Sequence, residues 1–597
     1  MAFYFTKFEN RVPPQPLKNS LTKELLWQFL AVTNLVFGAW YILWRWTSSI
    51  NYNSLTFSII LLLAETFSFI GLILFTINLW KVQDYEQKLA PKTFSECINN
   101  PDEADTRPLS VDVFIATYSE DIELVRLSII DAKNIRYPHD INLIVHILDD
   151  GRRPEMKRVA HEEGVNYITR NNNIGFKAGN LRNAMEKTYG DFIVICDADT
   201  RPFPTMLEDT LGYFRDHQVA WVQTPQWFYD LPEGKNLKNI MKKYLSLPGY
   251  MIGNIIEKVF GEIVIGKDPF VNDAQMFYDL IQRRRNWANA AFCSGAGSIH
   301  RREAVMEAAL KSYSDVISKF VERETKDVDE SLKQDLSDIM TREMSMETEF
   351  TPYMFHVSED IYTSILLHSD RDRKWKSVFH PVIESKMLSP QDLYSWAVQR
   401  FKYAGGTLDI AFNDNPIFRE GLTPSQRLMY ATTIWSYFGC IWNFVFLVSP
   451  LAFFFFGISP VSAYTTDFFL HITPFLILNE LAFMVGTWGI STFKGKTSYL
   501  SFFPINLRAL LTVIRREKIK FPVTPKDRQE GNFFHLVIPQ FSIMVLTIIG
   551  IIYTLLANLW GYKDNMSGLV ANSLWGINNI VAMSGIVFAA FWKPDEE

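Results

Sequence analysis

Two carboxylates one residue apart, Asp197 and Asp199, close an apolar run that begins Phe192-Ile-Val-Ile. Such a run reads as a buried strand. In an extended chain residues i and i+2 face the same side, so both carboxylates can address one divalent cation. A cation held there suits a diphosphate, because it neutralises charge on a departing phosphate. An isolated Asp-x-Asp is usually a solvated turn, but this one has company. Val111-Asp-Val-Phe-Ile-Ala leads into Thr117-Tyr118-Ser-Glu120, and Asn142-Leu-Ile-Val-His-Ile-Leu ends in Asp149-Asp150-Gly151. Three strand ends thus deliver Tyr118 and Glu120, Asp149 and Asp150, and Asp197 and Asp199.

The elements between them are helical, as at Ile122–Asn134. Strands alternating with helices predict an α/β domain with a mostly parallel sheet, whose ligands gather at the strand carboxyl ends.

This domain is set in a membrane frame. The chain has 597 residues, 48% hydrophobic and 15% aromatic. Six stretches can cross a bilayer: residues 25–46, 57–80, 429–457, 468–489, 534–557 and 569–591. They fall two before the polar domain and two plus two after it. The first has a long polar lead and no small-residue cleavage site, so it is expected to be an anchor. Lys7, Arg11, Lys18 and Lys23 precede it, while the loop Thr47–Leu55 has no charge. Residues 491–532 carry nine Lys or Arg against three acids, among them Arg515, Arg516, Lys518 and Lys520. This asymmetry predicts a cell (inner or plasma) membrane protein with its catalytic domain, basic loop and both termini cytoplasmic. The net charge of −6 averages unlike regions and points to no partner. Cys97, Cys196, Cys293 and Cys440 lie far apart, with neither metal nor disulfide spacing, and the ten histidines form no ligand set.

The order of Asp149-Asp-Gly151, Lys177-Ala-Gly-Asn180, Asp197-x-Asp199, Gln223-Thr-Pro225, Phe292-Cys-Ser-Gly295 and Ser358-Glu-Asp360 resembles the processive family-2 glycosyltransferases. Bacterial cellulose synthase catalytic subunits and β-glucan synthases are nearest. Phe521-Pro-Val-Thr-Pro-Lys526 resembles that family's gating loop, Phe-x-Val-Thr-x-Lys. The resemblance covers residues of about 20 to 590.

It implies a GT-A-type cytosolic domain inserted among about six transmembrane helices, and a UDP-sugar-dependent hexosyltransferase. The expected parts are a tail (1–24), two spans (25–80), the glycosyltransferase domain (81–405), an interface segment (406–428), two spans (429–490), an interfacial helix and gating loop (491–532), two spans (533–592) and a tail (593–597). Mg2+ or Mn2+ would sit on Asp197 and Asp199. Tyr118, Glu120, Asp149 and Asp150 would hold the uridine, and Lys177 and Asn180 the donor. Asp360 would be the general base that deprotonates the acceptor hydroxyl, giving one displacement with inversion. Cys293, Ser294 and Gly295 would line the acceptor side. Phe521, Thr524 and Lys526 would close over the nucleotide. The growing polysaccharide, the lipid bilayer, and an accessory secretion subunit or a second copy are the implied partners; no nucleic acid is expected.

Four departures stand out. Ser358 replaces the family's usual Thr and also reads as a helix N-cap. The family's Gln-x-x-Arg-Trp, whose Gln and Trp hold the terminal acceptor sugar, appears as Gln399-Arg400-Phe-Lys402-Tyr403, with Trp396 on the same helix face. Gln399, Tyr403 and Trp396 would meet the acceptor, and Arg400 and Lys402 the nucleotide. Lys402 keeps a positive charge beside the diphosphate but not the Arg fork, and Tyr403 offers a smaller stacking face. Residues 311–350, with eleven acids against six bases, read as an inserted acidic helical pair on the surface or at a contact with a partner. No Arg-rich switch and β-barrel of the kind found in cyclic-di-GMP-regulated cellulose synthases is expected after the last span. Residues 498–514 read as an interfacial amphipathic helix. Aromatic residues of the third span, such as Trp435 and Trp442, fit either lipid contact or a sugar path. The expected activity is polymerisation of UDP-glucose to a β-glucan with translocation. A synthase of an amino-sugar or mixed polymer, a glycolipid glycosyltransferase and a silent channel or binding subunit are the alternatives.

Overall fold

The computed structural model describes residues 3–98, 106–260, 263–270, 274–326, 330–347, 349–462, 466–490, 499–517, 519, 531–562 and 565–593. The strands are β1 (Leu109–Thr117), β2 (Ile141–Asp149), β3 (Asn166–Ile168), β4 (Phe192–Asp197), β5 (Arg201–Pro202), β6 (Val219–Gln223), β7 (Trp227–Phe228), β8 (Glu233–Asn236), β9 (Val264–Lys267), β10 (Ser298–Arg301), β11 (Lys376–Phe379) and β12 (Ser385–Met387). Seven of them form one sheet in the order β11-β6-β10-β4-β1-β2-β3. β1 pairs in parallel with both β2 and β4, and only β10 runs antiparallel, between β4 and β6. The apolar runs that marked β1, β2 and β4 are buried because helices cover both faces. Val113, Ile115 and Val194 face one core with Val125 and Ile129, and Phe114 and Ile195 face another with Leu181 and Val305. This is a mostly parallel α/β domain with helices on both faces of the sheet.

Among the described residues, six helices are long and apolar enough to cross a membrane: Leu21–Ser48, Tyr52–Asn78, Pro424–Phe456, Thr466–Gly486, Phe534–Leu559 and Met566–Ala589. Each falls on a stretch expected from hydropathy. Arg45, fully buried in the first, pairs with Glu65 of the second at 2.6 Å. An unpaired charge would be costly at such a depth.

Three consecutive arginines join the soluble domain to the helix ends. Arg283 pairs with Asp84 at 2.6 Å, Arg284 with Glu24 at 2.6 Å, and Arg285 donates to Asn78 Oδ1 at 2.8 Å and Thr433 Oγ1 at 2.7 Å. The N-terminal segment, expected only as a tail, docks as well. Phe5 is buried among Leu124, Tyr229 and Leu388, Tyr4 donates to Asp230 Oδ2 at 2.8 Å, and Glu9 meets Arg201 and Lys386.

The acidic stretch forms helices Arg302–Glu324 and Glu330–Glu347. A second helical excursion, Leu237–Phe260, was not foreseen. The amphipathic helix appears as Phe503–Ile514. It packs with Ala404 and Leu408 of helix Leu393–Asn413 and with Cys440, Ile543 and Met583 of three membrane helices.

Candidate active site

The strand ends build the site. Lys177, in the first turn of helix Phe176–Met185, places Nζ 2.6 Å from Asp197 Oδ1 at the end of β4. Burial works against the ammonium, but Asp197, Asp360 and Glu359 outweigh it and hold its pKa above the usual lysine range. Asp199 is buried, and Leu388 N donates to its Oδ2 at 3.1 Å.

Glu359 and Asp360 open helix Glu359–His368, where the helix dipole favours acids. Burial raises the pKa of both. The negative Asp360 lifts Glu359 further, while Lys177 and Lys402 pull Asp360 back down. The order of ionisation follows: Glu359 keeps its proton and Asp360 gives its up. Ser358 occupies the N-cap position expected of it, but its side chain makes no cap bond. Its backbone N donates instead to His356 Nδ1 at 3.0 Å, so the ring proton sits on Nε2, 2.9 Å from Asp409 Oδ2.

Phe292-Cys-Ser-Gly295 forms the wall opposite Asp360. Gly295 has φ +91°, and a Cβ there would lie 2.9 Å from Asp360 Oδ2, so only glycine lets the carboxylate in. Ser364 Oγ accepts from Cys293 N and donates to Asp360 O, tying the wall to the helix. Gln223 Oε1 accepts from Ser294 N at 2.7 Å, and Gln282 Nε2 donates to Ser294 Oγ at 3.2 Å. Burial pushes the Cys293 thiol up to about 12, so it stays neutral.

On the nucleotide side Tyr118 is half exposed at the end of β1. Glu120 accepts from Thr117 Oγ1, Tyr118 N and Ser119 N, and so shapes the loop. Asp149 is fully buried and accepts from Gly151 N, Arg153 N and Tyr167 Oη, so it braces the turn and offers no face to a ligand. Asp150 is held by Arg170 through two bonds of 2.7 Å. Asn180, also buried, donates to Leu148 O at 2.9 Å. Arg170 and Tyr167 were missed from sequence, although a basic residue just past β3 in an acid-lined cleft was a usable signal.

Of the residues expected on the acceptor helix, Tyr403 is 43% exposed and Gln399 and Lys402 are half-buried. Tyr403 lies within electrostatic reach of Tyr278, whose hydroxyl bonds Ser294. Trp396 is corrected: at 1% exposed it packs with Phe270, Leu393 and Val537, away from any acceptor. Arg400 lies over the rings of Trp396 and Phe502, 5.7 and 5.6 Å from their centroids. Phe521, Thr524 and Lys526 lie outside the described residues.

Asp197 and Asp199 would be the carboxylates to hold a divalent ion. The Asp197 side chain is 46% exposed and already carries a cation, the Lys177 ammonium. Among the described residues no further His, Cys, Asp or Glu joins them in a cluster of three. Such a donor set suits Mg2+ or Mn2+ shared with substrate phosphates and water.

Residues 112–308 match the family described as Glycosyl transferase family 2. The segment that carries the site thus matches family-2 glycosyltransferases over part of the chain, and it is flanked by helices apolar enough to cross a membrane. Along most of its length the chain is similar to cellulose synthase catalytic subunits. It is 26% identical over 578 residues to "Cellulose synthase catalytic subunit [UDP-forming]" of Pseudomonas fluorescens (strain SBW25). It is 27% identical over 574 residues to "Cellulose synthase 1 catalytic subunit [UDP-forming]" of Komagataeibacter xylinus. Each alignment covers 94% of this chain and 66% of the relative, so the chain spans under two thirds of their length. Among solved structures, a mannosyltransferase from Pyrobaculum calidifontis in complex with GDP-Man and Mn2+ aligns over 77% of this chain and 100% of its own. Its TM-score is 0.42 and its identity 11%, a likeness that bears no weight here.

Proposed function

We propose that the protein is a processive, inverting β-glycosyltransferase that polymerises a UDP-sugar, UDP-glucose to a β-glucan, and passes the chain across the cell membrane. The observation that carries this reading is the grouping of Lys177, Asp197 and Asp360 against helix Leu393–Asn413, which is itself packed on membrane helices. The residues proposed to handle the donor thus share a wall with the membrane helices.

Asp360 takes the proton of the attacking acceptor hydroxyl, and the protonated Glu359 beside it adds no second negative charge. Lys177 keeps Asp360 ionised and balances charge near the departing diphosphate. Asp197 and Asp199 would hold Mg2+ or Mn2+, which when bound supplies charge neutralisation for leaving UDP. Tyr118 flanks the base, Asp150 is aligned by Arg170, and Tyr403 with Gln399 receives the terminal sugar of the acceptor. With no enzyme nucleophile, a single displacement turns an α-linked donor into a β-linkage. The basic segments at residues 7–23 and 515–520 support a cytoplasmic soluble domain.

The test supplies purified protein in lipid vesicles with each radiolabelled UDP-sugar in turn, with Mg2+ or Mn2+, followed by linkage-specific glucanases. Long product from UDP-glucose alone is expected. Polymer only from an amino-sugar donor would overturn the substrate, and only short lipid-linked product would overturn processivity.

A further inference from the structure

The excursion between β8 and β9 is a helical hairpin. Helix Leu237–Phe260 breaks at Ser246 (φ 54°, ψ −141°), with Pro248 just beyond. Its two limbs fold onto each other. Gly249 and Gly253, four residues apart, lie against the Met241 and Lys238 backbones, and Lys238 pairs with the buried Glu257 at 3.2 Å. The hairpin is therefore built, yet its apolar residues lie outside. Tyr244, Leu245, Leu247, Met251, Ile252 and Ile255 are each 47–75% exposed around and beyond the break. A soluble surface rarely leaves such a patch uncovered. Four lysines stand against one acid in this helix, a local charge opposite in sign to the chain's −6.

Both roots of the hairpin lie at one membrane boundary. On the β8 side Arg11, ten residues before the first membrane helix, donates to Leu231 O at 2.5 Å and approaches Glu233 at 3.5 Å. On the β9 side Phe270 is buried among Ile586, Ala589 and Val537, its ring 5.3 Å from that of Trp592, just past the last membrane helix. The hairpin thus leaves the protein where the first span begins and the last span ends.

Given that the six apolar helices cross a bilayer, we propose that hairpin 237–260 is a membrane-surface anchor, its apolar tip seated among acyl chains and its lysines on anionic lipid headgroups. Apolar area plus basic charge is what interfacial binding requires. The anchor sits beside helix Leu393–Asn413, since Phe270 packs on Leu393 and Trp396. It would fix the tilt of the soluble domain at the mouth of the site.

The four native thiols are buried, so a single introduced cysteine can carry a fluorophore. Full-length Leu247→Cys, labelled in nanodiscs containing phosphatidylglycerol, is compared with Ile577→Cys on the last membrane helix and Leu332→Cys on the exposed acidic helix. Brominated lipids should quench the fluorophore at 247 and 577 and spare it at 332. Replacing phosphatidylglycerol by phosphatidylcholine should weaken quenching at 247 alone. The anchor is overturned if 577 is quenched while 247 responds only to aqueous iodide. It is equally overturned if 247 is shielded from both quenchers, which would assign the tip to a protein partner. Loss of quenching at 577 would instead sink the six-span arrangement itself.

Discussion

Lys177 Nζ and Asp197 Oδ1 lie 2.6 Å apart, so the carboxylate expected to meet a metal is already held by an ammonium from the neighbouring helix. The same ammonium lowers the pKa of Asp360, which burial would otherwise leave higher. Lys177→Met removes that cation, so the Asp360 pKa rises and the base is protonated over more of the acid range. The acid limb of UDP release against pH should therefore move to higher pH, with little recovery at neutrality. An unmoved limb would detach Lys177 from Asp360.

Asp360→Asn should lower the rate by about 10²–10⁴-fold, the usual worth of a general base. UDP affinity, measured by calorimetry, should stay near that of the native protein. Loss of both would remove Asp360 from the role of base.

Glu359→Gln tests the order of ionisation. Glu359 has its pKa raised, so it is neutral at and below neutral pH, where Gln imitates it. Activity there should persist. At higher pH native Glu359 ionises and crowds Asp360 with a second charge, so the variant should keep activity on the alkaline side that the native enzyme loses.

Trp396 and Tyr403 should separate cleanly. Trp396→Ala empties a core position and should cost about 3–5 kcal/mol of stability, seen as a lower melting temperature. Tyr403→Ala, at a half-exposed site, should leave the melt nearly unchanged and shorten the product or slow its growth.

How much of this could be read in the sequence follows from how local each feature is. The six spans, β1, β2, β4 and Asp197-x-Asp199 are written in contiguous runs, where hydropathy and alternation speak directly. Trp396 shows the limit. Its helical spacing with Gln399 and Tyr403 was legible, but which side of the helix meets Phe270 and Val537 depends on segments more than 100 residues away in sequence. Asp149 fails likewise, because Tyr167, its hydroxyl partner, arrives with another strand. The arginine triplet 283–285 and hairpin 237–260 carry no periodic signature, and their meaning lies in Glu24, Asp84 and Trp592. Ser358 gave half its answer: the helix does start there, yet the hydroxyl does not cap it.

Phe5→Ala probes the docked N-terminal segment. Removing a buried ring beside Leu388 should cost about 3–5 kcal/mol locally. Since Asp230 receives both Tyr4 Oη and Ser389 N, next to the Leu388 amide on Asp199, donor affinity should fall as well. Limited proteolysis near residue 11 and UDP titration read the two effects.

Helix Leu393–Asn413 touches the Ser358-Glu-Asp360 turn at two points. Gly406 meets Ser358 so closely that a Cβ would fall 2.0 Å from its Oγ, and Asp409 takes the His356 ring. Its other side, through Ala404 and Leu408, is packed on the membrane helices. Such a helix behaves as a drive shaft with no slack at either end. A shift of the membrane bundle would therefore be felt at the turn that carries Asp360, because close contacts join the two through one helix.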